Sequence, residues 1–323
     1  MKRAAKIFGY ALLGIAVLLA ALLTYVKTAL PDTGPPPELT VQITPERVAR
    51  GEYLANHVTV CMDCHSARDM SAFSGPMVAG TLGQGGELFD EKLGFPGKFY
   101  SRNITPAGLK DWTDGEIYRA ITTGVSRDGH ALFPIMPYPY YSRMDPEDIH
   151  SLIAYLRTLK PIDHAVPASE ASFPFNFILN TIPAKASPST RPNPQDALAY
   201  GGYLANAAGC KECHTQAENG QILEEKAFSG GRNFQLPTGV LYSANITPDV
   251  ETGIGKWTKE AFIARFKAYA DSSYHAPKVT GFQTIMPWTM YGGMSDQDLG
   301  SIYVYLKSLK PARNAVKVFV PGT

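Results

Sequence analysis

The string Cys-x-x-Cys-His occurs twice in this chain of 323 residues, at residues 61–65 and again at residues 210–214. Two intervening residues make one turn, which brings both thiols to the same side and places the histidine directly after them. In such a string the thiols can add to the two vinyl groups of one haem, and the histidine then becomes the first axial ligand of the iron. The doubled string therefore predicts two covalently bound haem c groups. The residues that would hold them are Cys61, Cys64, His65, Cys210, Cys213 and His214.

A zinc ribbon and a thioredoxin-like redox pair use the same Cys-x-x-Cys spacing. A zinc site would need its two cysteine pairs to meet, although 149 positions separate Cys61 from Cys210. A redox dithiol gives no reason for a histidine after both second cysteines. The doubling of the whole string favours the haem interpretation, and because it uses all four cysteines, we expect no disulfide.

The repeat extends well beyond the cysteines and predicts two tandem domains of ordinary size. The matching segments are 51–56 with 201–206, 103–106 with 245–248, 112–113 with 257–258, 135–137 with 285–287, and 155–161 with 305–311. We expect four parts. They are an anchor and proline-rich spacer at 1–37, a first domain at 38–162, a linker at 163–192, and a second domain at 193–323.

Helical signals dominate both halves and predict an all-α fold. Asp145 and Ser295 are candidate N-caps of two closing helices, and apolar residues follow each at the spacing of one buried helix face. Thr113 and Glu116 fit a capping box. The glycine-rich stretch at 75–97 lacks a helical signal, and we expect a loop or small hairpin there.

Methionine is the favoured sixth ligand, because its thioether binds reduced iron well. Two methionine pairs are in register between the halves, Met136 with Met286 and Met144 with Met294. Met144 and Met294 directly precede the predicted N-caps, which indicates a packing role in a hydrophobic staple.

Met136 and Met286 each precede a proline, which favours an extended loop from which the sulfur can reach inward. They follow His65 and His214 by 71 and 72 residues. We therefore predict both as iron ligands, with a buried gap-filling methionine as the alternative.

The haem propionates need hydrogen-bond donors or a cation if they are buried. Candidates near the middle of the two halves are Arg102, Asn103 and Trp112 in the first and Asn245 and Trp257 in the second. The alternative is that Asn-Ile-Thr-Pro is only a turn and that the tryptophans belong to the core.

Residues 7–26 are twenty positions without a charge, long enough as a helix to cross a bilayer. Lys2, Arg3 and Lys6 precede them, so we expect the start to stay in the cytoplasm and both haem domains to lie in the periplasm. This predicts a single-pass protein of the bacterial cytoplasmic membrane. A cleaved signal peptide is the alternative, but the run is long and no small-x-small site follows it.

Charge argues against a polyanionic partner. Without Lys2, Arg3, Lys6 and Lys27, the 30 basic side chains fall to 26, against 29 acidic ones. No polybasic stretch is present, so nucleic acid is not expected as a partner, and docking should depend on apolar surface around the haem edges.

The order of these motifs resembles the membrane-anchored multihaem cytochrome c subunits of bacterial alcohol, aldehyde and sugar-acid dehydrogenases. The shared strings are G-x-Y-L-A, C-x-x-C-H, N-I-T-P, W-T, M-P and a terminal Y-L-x-x-L-x-P. The resemblance implies two tandem class I cytochrome c-like domains with axial pairs His65/Met136 and His214/Met286. In that family, electrons leave a catalytic flavin or quinone subunit and pass through the haems toward ubiquinone or an oxidase. Those subunits commonly carry three haem motifs, whereas this chain has two and an N-terminal anchor.

These observations predict an electron-transfer protein without catalytic residues of its own. It would carry single electrons from a dehydrogenase or quinol-oxidising complex to a terminal oxidase, either as a free carrier or as a subunit of a dehydrogenase or oxidase complex. A dihaem peroxidase is a further alternative. It would need one iron with an open sixth position, which the matched Met-Pro pairs disfavour.

Overall fold

A computed structural model describes residues 2–218, 220–270 and 275–322 of the chain. The longer helices are α1 (Lys2–Thr28), α2 (Pro45–Tyr53), α5 (Asp114–Thr123), α7 (Pro146–Thr158), α9 (Ala197–Ala207), α11 (Lys259–Lys267) and α13 (Asp296–Ser308). Single-turn helices are α3 (Cys61–Cys64), α4 (Pro106–Leu109), α6 (Tyr138–Tyr141), α8 (Phe175–Ile178), α10 (Cys210–Cys213) and α12 (Trp288–Tyr291). A π-helical turn, Leu54–Val58, continues α2.

The prediction of an all-α fold is wrong, because the described residues are 41% helix and 9% strand. Their strands form three small antiparallel sheets. The strands are β1 (Leu88–Phe89), β2 (Gly97–Tyr100), β3 (Glu170–Ala171), β4 (Ala217–Glu218), β5 (Gln221–Ile222), β6 (Asn233–Leu236), β7 (Gly239–Tyr242) and β8 (Phe319–Pro321).

The two three-stranded sheets follow one plan, in which a hairpin is joined by a strand from beyond the closing helix. In the first half β1 and β2 pair, and β3 from the segment after α7 adds to β2. In the second half β6 and β7 pair, and β8 after α13 adds to β7. Long loops leave backbone groups that need partners, and these short ladders supply some of them. A loop or small hairpin was the expectation for residues 75–97. A hairpin forms at the end of this stretch, and its second strand extends to Tyr100.

In each half the first helix after the spacer or linker packs against the closing helix, α2 on α7 and α9 on α13. The repeated glycine explains the close approach. A Cβ added to Gly51 would lie 1.8 Å from the carbonyl oxygen of Ser151, and one at Gly201 would lie 1.9 Å from that of Ser301. Any larger side chain would force the two helices apart.

The starts predicted for α7, α13 and α5 are confirmed. The side chains of Asp145 and Ser295 cap α7 and α13, accepting hydrogen bonds from the backbone N–H groups of Glu147 and Asp298. The capping box of Thr113 and Glu116 is present at the start of α5. These caps fix where the closing helices begin and therefore where the preceding methionines lie.

The two halves share one continuous core and exchange hydrogen bonds. The hydroxyl of Tyr53 donates to Asp298 at 2.5 Å, and the hydroxyl of its repeat partner Tyr203 donates to Asp148 at 2.6 Å. Both carboxylates belong to the opposite half from their tyrosine. The contact is therefore reciprocal, as in a two-fold interface.

Helix α1 has no buried residue and is long and apolar enough to cross a bilayer, a property that membrane anchors share with signal sequences. Its end contacts the segment after α7. The Nδ2 of Asn180 donates to the carbonyl oxygen of Val26 at 3.2 Å. This segment, predicted as an extended linker, carries β3, α8 and a 3-10 turn, Leu179–Thr181, and β3 pairs with β2 of the first half.

Candidate haem-binding sites

Each Cys-x-x-Cys-His string forms one helical turn with its histidine at the end. The N–H groups of His65 and His214 both donate to the first cysteine's carbonyl at 3.0 Å. The residue before each turn has left-handed backbone, Val60 with φ 45° and Gly209 with φ 63°. This conformation is strained for a β-branched valine, and such strain persists where surrounding structure requires a special chain path.

A backbone carbonyl orients each histidine ring. Nδ1 of His65 lies 2.7 Å from the carbonyl oxygen of Arg102, and Nδ1 of His214 lies 2.7 Å from that of Ala244. With its proton on Nδ1, each ring donates to the carbonyl and keeps the Nε2 lone pair for a metal. Burial lowers the pKa of both imidazoles, although the carbonyl bond partly opposes it, so the neutral form that ligates iron is favoured.

The four cysteines are free. Burial raises the pKa of Cys64 and Cys210 to about 12 and that of Cys213 to about 11. A reactive redox cysteine has the opposite property, a lowered pKa. Within residues 2–218, 220–270 and 275–322, no three His, Cys, Asp or Glu side chains come together as a metal cluster. The described residues therefore fit a zinc ribbon or a reactive redox dithiol poorly.

A buried tyrosine ties each predicted methionine loop to its Cys-x-x-Cys-His turn. Met136 and Met286 are half-buried and lie just before α6 and α12. At the ends of these helices, the hydroxyl of Tyr141 donates to the carbonyl of Thr59 at 2.8 Å, and that of Tyr291 to the carbonyl of Ala208 at 2.6 Å. Both acceptors lie two residues before the first cysteine of a haem string. These bonds bring each methionine segment next to a haem string.

Met144 and Met294 are each 1% exposed and belong to the shared core. They directly precede the N-caps of α7 and α13. Their burial in the shared core agrees with the packing role that their position in the sequence predicted.

Comparison with known proteins agrees with this geometry. The cytochrome c family model matches residues 198–310. A diheme cytochrome c-type protein of Cereibacter sphaeroides is 32% identical over 223 residues, which are 66% of this chain and 71% of that protein. The chain belongs to the c-type cytochromes.

Other relatives of this cytochrome have names that place them in enzyme complexes. The cytochrome c subunit of the quinone-dependent alcohol dehydrogenase of Gluconacetobacter polyoxogenes is 29% identical over 285 residues, 82% of this chain and 56% of that subunit. The gluconate 2-dehydrogenase cytochrome c subunit of Pantoea cypripedii is 29% identical over 280 residues, 81% of this chain and 59% of that subunit. The cytochrome thus spans a little over half the length of these relatives. The resemblance inferred from the motifs is confirmed, and a cytochrome c domain implies covalently bound haem c.

The residues predicted to hold the propionates have other partners in this cytochrome. Nδ2 of Asn103 donates to the carbonyl of Ile162 at 2.8 Å, and Nδ2 of Asn245 to that of Ala312 at 2.7 Å. Their Oδ1 atoms accept the N–H of the residue two positions on, as in an Asx turn. Both asparagines therefore fasten the chain after the closing helix to the turn that presents the histidine-binding carbonyl.

Propionate contacts of Asn103, Asn245, Arg102, Trp112 and Trp257 all remain predictions. The guanidinium of Arg102 donates to the carbonyl of Pro167 at 3.0 Å. Trp112 packs against the core, while Trp257 is 38% exposed.

The groups that orient the histidines and hold the methionine segments were not predicted from the sequence, although the repeat contains a signal for them. The carbonyls that orient the histidines come from Arg102 and Ala244, each directly before Asn-Ile-Thr-Pro. Tyr141 and Tyr291 each follow the predicted methionine ligand by five residues. Comparing the two copies position by position would have identified both pairs.

Charged groups beside the two strings differ. Arg68 lies between Asp63 at 3.0 Å and Glu87 at 2.6 Å, and burial raises the pKa of Asp63 to about 6 although Arg68 opposes the shift. In the second half Arg232 pairs with Glu212 at 2.5 Å. The first site thus carries two acidic groups around one arginine, and the second carries one.

Proposed function

We propose that this cytochrome holds two haems and carries single electrons in a periplasmic respiratory chain. Cys61 and Cys64 would attach the first haem and Cys210 and Cys213 the second. His65 and Met136 would be the axial ligands of the first iron, and His214 and Met286 those of the second. Each haem c, when bound, supplies an iron centre that accepts and releases one electron.

The equal orientation of the two histidines carries this proposal. Both Nδ1 atoms lie 2.7 Å from a backbone carbonyl that directly precedes Asn-Ile-Thr-Pro. Metal-bound histidines are generally fixed in this way by a second partner. The second string lies within residues 198–310, which match the family model, and the first string has the same local structure. This likeness supports a haem at residues 61–65 as well.

The chain's own residues would close the sixth position in each half. Tyr141 and Tyr291 hold the methionine segments against the haem strings. An iron with both axial positions filled exchanges electrons through the haem edge and has no free site for a small substrate. This favours an electron carrier over a peroxidase.

The partners follow from the relatives and the N-terminus. Helix α1 would tether the cytochrome to the cytoplasmic membrane with the haem-binding halves in the periplasm. The dehydrogenase names of its relatives support a membrane dehydrogenase as the electron donor, with the cytochrome either bound as its subunit or exchanging electrons with a quinol-oxidising complex. A terminal oxidase is the proposed acceptor.

The test counts haems and then removes ligands one at a time. The polypeptide mass should exceed that of the apoprotein by two haems, and a Cys210→Ala/Cys213→Ala variant should retain one. Met136→Ala and Met286→Ala should each lower the potential of one haem by tenths of a volt and remove about half of the far-red sulfur-to-iron band. Met144→Leu is the matched control and should leave that band unchanged. Stoichiometric carbon monoxide binding by the reduced wild type, with rapid peroxide turnover, would instead indicate a peroxidase.

A further inference from the structure

A short apolar segment after α7 is exposed beside the end of α1. We call residues 172–180 the aromatic connector. Phe173 is 79% exposed and Ile178 is 48% exposed. Large apolar side chains in such positions commonly mark a surface that another phase or molecule covers.

The aromatic connector lies at the level where α1 would leave the bilayer. Val26 is the last residue of the charge-free run, and its carbonyl accepts a hydrogen bond from Asn180 at 3.2 Å. The Nζ of Lys27 lies 5.5 Å from the ring centroid of Phe177. Aromatic and lysine side chains are typical of the interface between hydrocarbon and headgroups.

We infer that Phe173 and Ile178 insert into the interfacial region of the bilayer that α1 spans, so that the first half is bound to the lipid surface as well as tethered to it. This inference rests on the proposed membrane tether. The occupant is lipid because Asn180 and Phe177 of the same segment contact the end of the membrane helix, and the ring of Phe173 lies against Phe177 at 6.4 Å between centroids. A single helix and spacer would allow the haem-binding halves to tumble, whereas a second contact with the bilayer fixes their orientation.

The aromatic connector is also packed on the first haem site. Phe175 lies 5.6 Å from Phe133 between ring centroids, and Phe133 stacks on Phe99 at 4.1 Å. Phe133 precedes Met136 by three residues, and Cys64 packs against the same cluster. The lipid contact would therefore hold the first haem site at a fixed height above the membrane.

Photolabelling of the full-length protein tests the contact. The protein would be reconstituted in phosphatidylcholine and phosphatidylglycerol liposomes that contain a small fraction of lipid with a diazirine near the headgroup end of its acyl chain. Labelled peptides would be located by mass spectrometry. We expect label in residues 172–180 as well as in α1, and several-fold less label in residues 172–180 of a Phe173→Ser/Ile178→Ser variant.

Val250→Ser is the matched control, since Val250 is 58% exposed in the second half and should be little labelled before or after substitution. If residues 172–180 of the wild type take up no more label than the peptide around Val250, the inference is wrong. The label in residues 7–26 tests separately whether α1 inserts into the bilayer. An unlabelled α1 would contradict the tether, whereas a labelled α1 with an unlabelled connector would contradict only the lipid contact.

Discussion

The two methionine loops share the sequence Ile-Met-Pro but are held by different forces. In the first half, Phe133 sits in an aromatic cluster, with ring centroids 4.1 Å from Phe99, 5.6 Å from Phe175 and 5.7 Å from Phe95. Apolar packing inside the same half, together with the segment after α7, therefore supports the loop of Met136.

In the second half the corresponding loop is held by hydrogen bonds to the first half. Gln283 is 3% exposed, and its Nε2 donates to the carbonyls of Met70 and Ala72 at 2.9 Å each. Its Oε1 accepts the N–H of Ser74 at 2.9 Å, and the Ser74 hydroxyl donates to the carbonyl of Met286 at 2.6 Å.

Phe133 and Gln283 occupy the same position of the repeat, three residues before each methionine. One difference within a duplicated loop thus separates a side chain that packs within its own half from a side chain that is bonded to the other half. Tyr140, four residues after Met136, is bonded to Asn206 and Glu212 of the second half, so the difference between the two loops lies at the position three residues before each methionine.

Phe133→Ala should have the largest effect on stability. Removing a ring from a packed cluster costs about 3 kcal/mol of unfolding free energy, and the loss should weaken the sulfur-to-iron band of Met136 while leaving that of Met286. Denaturant unfolding and far-red absorbance measure the two effects. Phe173→Ala is the control, because this exposed ring should contribute little to stability in detergent. Equal weakening of both bands would contradict the separation of the two sites.

Asp148→Asn should lower the free energy of unfolding more than Asp298→Asn does, although the two carboxylates occupy the same position of the repeat. Asp148 accepts two hydrogen bonds from Arg50 at 3.0 Å and one from Tyr203, and it also pairs with Arg191. Neutralising Asp148 should lower the free energy of unfolding by roughly 2.5 kcal/mol, because hydrogen bonds to a buried charge are strong. Unfolding of the two variants side by side gives the comparison.

The effect of Asp148→Asn should depend on pH. Burial alone would raise the pKa of Asp148, but its hydrogen bonds and charges, led by Arg50, hold the pKa below its usual value. A lowered pKa in the folded state gives stability that is present above the unfolded-state pKa of about 4 and is lost as the pH falls through the folded value. The difference between wild type and variant should therefore shrink below about pH 4. A difference that grows with acidification would contradict this assignment.

Gln283→Leu should have the smallest effect of the three on stability, about 2 kcal/mol of unfolding free energy, because it removes the hydrogen bonds of this side chain to backbone groups of Met70, Ala72, Ser74 and Thr284. Its effect on the haem sites should be the reverse of that of Phe133→Ala, with the Met286 band weakened and the Met136 band retained. Gln297→Leu, at an exposed position of α13, is the matched control. An unchanged Met286 band would show that the contact with the first half does not support the second loop.

Local signals predicted the parts of the fold that depend on local chemistry. The single turns with a terminal histidine, the capping box at Thr113 and the caps of both closing helices depend on residues within four positions of each other, and all of them form. The methionine segments follow from the repeat, although ligation by Met136 and Met286 stays a prediction.

The features that the sequence did not reveal depend on distant partners. Strands β3 and β8 are two and three residues long and pair with β2 and β7 from beyond the closing helices. Such short strands carry too little alternation to be recognised, which is why the all-α prediction failed. The same holds for Gln283, whose role depends on residues more than 200 positions away.

The crossed bonds of Tyr53 and Tyr203 limit how this molecule could be divided. Residues 193–323 alone, which contain a complete haem string, would lack Tyr53 and leave Asp298 without that partner. Residues 38–162 alone would lack both Tyr203 and Arg191 and leave the carboxylate of Asp148, which is 0% exposed, with fewer partners. Although each half has the motifs of an independent carrier, a buried carboxylate in each half keeps its full set of partners only when both halves are present.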